Sequence, residues 1–140
     1  MVRPLEGRPR QTAWAFQRAR TTAQAAHVYF SHEAALKTWL TRAGSVGNDG
    51  SSVELELGWG ERLTGQVLGT ASGRDVALSW RERNESALVL RTLPAPFSDS
   101  ERLLVVTWSC WGSEPDAATV ERFESALKRL ARVLSRPAEA

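Results

Sequence analysis

The chain has 140 residues, the size of one domain, and with 42% hydrophobic and 24% charged residues it reads as globular rather than disordered. Its net charge of +2 is carried by residues 1–12, where Arg3, Arg8 and Arg10 stand against Glu6. The rest is balanced, without the basic footprint that nucleic-acid binding needs. A single cysteine, Cys110, excludes an internal disulfide, and no run of about 18 apolar residues is present to span a membrane.

The opening MVRPLEGRPR has no apolar stretch behind its charges, so no secretory leader is expected and the cytoplasm is the expected compartment. Pro4, Gly7 and Pro9 oppose regular structure, which makes residues 1–12 a flexible basic tail and residues 13–136 a single domain. In TAWAFQRAR (12–20), Trp14, Phe16 and Arg18 alternate with smaller residues, the period of a first strand. TTAQAAHVYF follows without Gly or Pro and predicts a short helix over about 22–30. Ser31 is then a candidate N-cap for a second helix, whose stripe is Ala35, Leu36, Trp39 and Leu40. Gly44, Gly47, Asn48, Asp49 and Gly50 end it in a loop.

A strand meander comes next. Val53, Leu55, Leu57 and Trp59 alternate with Glu54 and Glu56, a half-buried strand. The strand in ERLTGQVLGT carries Gly65 and Gly69, which suggest a bulge or a close backbone approach. In VALSWRER, Val76, Leu78 and Trp80 share a face, and Asn84-Glu85 leads on to SALVLRTL. Pro94 and Pro96 break the pattern before a last, mostly buried strand over 100–112. Asp116 is a candidate N-cap for a final helix of about 18 residues, with Val120, Phe123, Leu127, Leu130 and Leu134 on one face. The order is strand, two helices, five strands, long helix. Without crossover helices this predicts an α+β fold with a curved antiparallel sheet of about six strands.

That order resembles the helix-grip superfamily (SRPBCC) of START domains, polyketide cyclases and birch-pollen-allergen-like proteins. The local phrases are HEAALKTWL (32–40), LTGQVLGT (63–70), Leu78-Ser79-Trp80 and ERFESALKRLARVL (121–134). Within it, the chain is most similar to the branch named after the activator of heat-shock-protein-90 ATPase. Phe123 stands where that branch often has a tryptophan. The resemblance implies a cavity between the concave sheet and the last helix, faced by Trp39, Leu57, Trp59, Val67, Leu78, Trp80, Leu90, Trp108, Phe123 and Leu127. A hydrophobic small molecule is the ligand this implies, with no cofactor. The same rings can instead fill the core, and both readings stand at this stage.

Other chemistry has weaker support. His27 and His32 have no Cys or carboxylate at ligand spacing, so no metal is expected, and His32 is expected to face solvent at a helix start. Cys110, between Trp108 and Trp111, reads as a buried structural thiol. No G-x-S-x-G is present, and Gly58, Gly60, Gly65 and Gly69 do not open a helix that could cradle phosphate. Glu61, Arg81, Glu82 and Arg91 are expected on the solvated sheet face. An inward Arg81 or Glu82 would be an acid/base candidate. Three functions follow: a ligand-binding module, a cyclase or aromatase-type enzyme, and a co-chaperone-like interaction module. An inward charge beside the tryptophans would favour the second. A filled interior with an exposed apolar patch would favour the third. Nothing in the sequence fixes an oligomeric state.

Overall fold

The computed structural model describes residues 10–69 and 75–135. The elements are β1 (Arg10–Arg20), α1 (Ala23–Ser31), α2 (Glu33–Leu36), β2 (Thr41–Ala43), β3 (Ser52–Leu57), β4 (Arg62–Gly69), β5 (Val76–Trp80), a 3-10 turn (Arg81–Arg83), β6 (Ser86–Pro94), β7 (Glu101–Trp111) and α3 (Ala117–Leu134). The strands form one antiparallel sheet of seven in the order β1-β7-β6-β5-β4-β3-β2. The sheet curls round α3, which is the helix-grip arrangement. No helix among the described residues is long and apolar enough to cross a membrane.

The seventh strand is β2, where a continuation of the second helix was expected. That helix ends at Leu36. The chain then tightens, with Trp39 and Leu40 both donating to the Leu36 carbonyl, and Thr41–Ala43 pairs irregularly with β3. Leu36, Trp39 and Leu40 are buried nonetheless, so the apolar stripe holds without the helix. Ser31 is also not a cap. Its hydroxyl donates back to the His27 carbonyl at 2.9 Å from the last turn of α1, a back-bond that keeps a serine inside a helix. β1 begins at Arg10, earlier than the expected end of the tail, and Thr12 Oγ1 lies 3.0 Å from Ser109 Oγ. The rest of the tail, residues 1–9, lies outside the described residues.

α3 follows its pattern. Asp116 accepts from the Thr119 amide at 3.2 Å and its hydroxyl at 2.6 Å, and Phe123, Ala126, Leu127 and Leu130 are buried. Burying three large side chains there contributes roughly 1.5–3 kcal/mol each.

The sheet bends at β4. Gly65 lies so close to β5 that a Cβ would fall 2.1 Å from the Ser79 carbonyl oxygen. The register shifts between Val67 and Gly69. Around this bend, side chains replace ladder bonds: Ser79 Oγ accepts from the Gln66 amide at 2.8 Å, and Glu82 accepts from the Thr64 amide at 2.8 Å and hydroxyl at 2.6 Å. Glu82 therefore serves the sheet corner.

Candidate functional site

The sequence of β5 and β7 sends Trp80 and Trp108 inward, and the first turns of α3 bring Phe123 against them. Ring centroids are 5.5 Å apart for Trp80–Trp108, 6.2 Å for Trp80–Phe123 and 6.4 Å for Trp108–Phe123. Trp59 joins from the turn between β3 and β4, its centroid 5.3 Å from Phe123 at 89°. Gly60, at φ +90°, allows that turn. Leu57, Val67, Leu78, Leu90 and Leu127 are buried in the same core. Trp39 packs edge-on to Phe30 at 6.2 Å instead. Nine of the ten expected residues are thus buried and Trp59 is partly so. The rings touch one another across the place where a cavity was implied.

Each inner indole N–H has a partner. Trp80 donates to the Arg62 carbonyl at 3.1 Å, Trp108 to Ser86 Oγ at 2.8 Å, Trp39 to the Tyr29 carbonyl at 2.8 Å and Trp59 to Glu61 at 2.9 Å. Glu61 was expected on the solvated face. It is instead half-buried under Arg83, whose Nε and Nη2 donate to its two oxygens at 2.5 and 2.9 Å. Arg83 also donates to Thr119 Oγ1 at 3.1 Å, tying the 3-10 turn to α3, and its guanidinium lies over the Trp80 and Trp108 rings at 5.4 and 5.6 Å. Sequence reading missed Arg83 because WRER looked like strand. The 3-10 turn has a period of three, which returns Arg83 to the side of Trp80.

Burial pushes the Glu61 carboxyl up, but hydrogen bonds from Arg83 and Trp59 and the charges of Arg83 and Arg122 outweigh it and hold it below its ordinary value. The Glu61 hydrogen bond raises Arg83 in turn. This charged pair beside the tryptophans is therefore locked ionised near neutral pH and is poorly placed to move a proton. Burial raises the Cys110 thiol, with Arg83 acting against it, as for a structural cysteine. Arg81 is exposed, 3.8 Å from Glu85, and Arg91 pairs with Asp75 at 3.0 Å. His32 is exposed between the two short helices. No group of three or more His, Cys, Asp or Glu that could hold a metal occurs among the described residues.

A surface groove of about 490 Å³ runs over the outer side of Trp59. Gly58 and Trp59 form one wall, and Ala118, Glu121, Arg122, Ser125 and Arg129 of α3 form the other. Arg122 lies 5.9 Å from the Trp59 ring and has no salt bridge among the described residues. Arg129 donates to the Trp39 carbonyl from Nε and Nη2 at 3.3 and 3.2 Å, which fixes its guanidinium at the groove. Beyond Arg83, a recess of about 90 Å³ is bounded by Trp108, Cys110 and Asp116. The volume of the Trp59 groove suits a small ligand, and it joins the Trp59 ring to a wall that carries two arginines and one glutamate.

No family model matches the chain, and no curated protein does. Solved structures match most of it. The Aha1 dimer from Colwellia psychrerythraea has a TM-score of 0.71 at 14% identity, over 91% of this chain and 99% of that one. The protein XoxI from Bacillus cereus has a TM-score of 0.68 at 9% identity, over 89% and 95%. DynU16, from the dynemicin biosynthetic locus, has a TM-score of 0.67 at 15% identity, over 90% of this chain and 48% of that one. At such identities the likeness establishes the helix-grip fold.

Proposed function

We propose that this chain is a small-molecule-binding module of the helix-grip kind, working in the cytoplasm without a cofactor. Its ligand is an amphipathic carboxylate. The apolar body lies on Trp59 and the carboxylate meets Arg122 and Arg129. The observation that carries this reading is the groove of about 490 Å³, lined by the Trp59 indole and by Arg122 and Arg129, with Glu121 as the acid on the same wall. Trp59 is also the one member of the ring cluster at the surface side. Its movement off Phe123 would admit the apolar body towards Trp80, Trp108, Phe123 and Leu127, the deeper residues of the expected site.

Dodecanoate below its micellar concentration and naphthoate are suitable probes, read by calorimetry and by melting shift. Binding stabilises the fold by about 2.7 kcal/mol at a hundredfold excess over the dissociation constant. Dodecanol, which keeps the chain and lacks the charge, binds more weakly. Arg122→Gln reduces carboxylate affinity several-fold with only a small drop in the melting temperature of the free protein, the part due to its contacts with Trp59 and Glu61. Absence of heat and of melting shift with both carboxylates would overturn the reading. The filled interior and the exposed stack of Trp14 and Phe16 on β1 favour a second reading, the interaction module.

A further inference from the structure

The two edges of the sheet differ. β2 is three residues long with a register shift, a blunt edge. β1 pairs with β7 without interruption from Arg10↔Trp111 to Arg20↔Glu101, and carries no proline, lysine or bulge. Among the described residues no strand pairs with its outer side. The Arg20 amide points off that edge to Ser135 Oγ at 3.3 Å. The alternation of an antiparallel ladder then turns the peptide groups of Arg18, Phe16, Trp14 and Thr12 outward as well. On the strand's outer face, Trp14 and Phe16 are 50% and 52% exposed and stack at 6.1 Å, 5° from parallel.

We propose that the β1 edge pairs with the β1 edge of a second copy of this chain, antiparallel about a two-fold axis at Ala15. The outward peptide groups, from Thr12 to Arg18, are centred on that residue, so the register follows from which amides are free. It sets Trp14 opposite Phe16 of the second copy and Phe16 opposite its Trp14, joining two stacks into one four-ring cluster. Arg18, already neutralised by Glu101 at 3.0 Å, faces a threonine, whereas the same register sets Arg10 opposite Arg20 of the second copy at both ends of β1, like charges that weaken the seam. The paired length is about 24 Å at 3.4 Å per residue. A seam this short, with two half-exposed rings per copy, falls below the roughly 800 Å² per partner of a stable interface. The pair is therefore reversible and concentration-dependent.

Sedimentation equilibrium of the full chain from about 5 μM to 1 mM tests this, with amide exchange followed by NMR over the same range. The weight-average mass should rise from one chain towards two and level off, while the amides of Thr12, Trp14, Phe16 and Arg18 gain protection. Trp14→Lys/Phe16→Lys should stay monomeric with an unchanged melting temperature in dilute solution. Phe16→Pro, which removes one outward N–H, should weaken pairing independently of charge. A wild type that stays monomeric to 1 mM would overturn the proposal. So would a dimer that persists in the double lysine variant, a mass that climbs past two chains, or protection confined to other residues.

Discussion

Trp80 and Trp14 lie in the same sheet and meet opposite fates. On β5, Trp80 points to the concave side, gives its N–H to the Arg62 carbonyl, and is closed over by Phe123 of α3. On β1, the residues facing α3 are small, with Ala15 and Ala19 buried, and Trp14 and Phe16 are turned out to solvent. The helix approaches closely where the sheet presents alanine and stands off where it presents indole. The alternation of β1 therefore reads the same as that of β5, but the large side chains occupy the opposite phase. One pattern yields a core cluster and the other a surface stack.

The sharpest way to break this comparison is to remove one ring from each side. Phe123→Ala should cost about 3–5 kcal/mol in denaturant unfolding, as for a buried aromatic whose neighbours cannot collapse into the space. Phe16→Ala should stay within about 0.5 kcal/mol. Similar losses for both would contradict the assignment of inside and outside.

Glu61→Gln sharpens what holds the inner cluster. Losing the charged partner of Arg83 should cost about 1.5–3 kcal/mol at pH 7. Because the folded state holds the Glu61 carboxyl below its ordinary value, its contribution is present above the unfolded pKa of about 4.3 and disappears as pH falls through the folded value. The stability gap between wild type and variant should therefore close below about pH 4. A gap that stays constant into acid would show that Glu61 acts through packing alone.

Ala19→Leu tests the phase of β1 itself. Extra methylenes under α3 should cost about 1–3 kcal/mol through overpacking. A neutral result would mean that the helix does not rest on the strand there.

The long helix and the meander were legible in the sequence because period and caps agree with tertiary packing: Asp116 caps α3, and Val53, Leu55 and Leu57 are all buried. Less legible was anything decided by a partner far along the chain. β2 exists through pairing with β3 and has no alternation of its own. Glu61 looked like a solvent residue until Arg83 reached it across 22 positions. Trp39, Trp80 and Trp108 are buried and Trp59 is partly so, yet whether rings line a space or fill it depends on distances between elements that no local pattern carries. The groove beside Trp59 was invisible for the same reason, since Arg122 and Arg129 lie off the apolar stripe of α3 and no local pattern aims them at Trp59.

The indole N–H resonances of the six tryptophans give the most direct test of ligand binding at the Trp59 groove. Titrating dodecanoate into the isotopically labelled protein, the account predicts the largest shift at Trp59, smaller shifts at Trp80 and Trp108 behind it, and none at Trp14. Movement of Trp14 with Trp59 unchanged, or no indole shift at all, would contradict it.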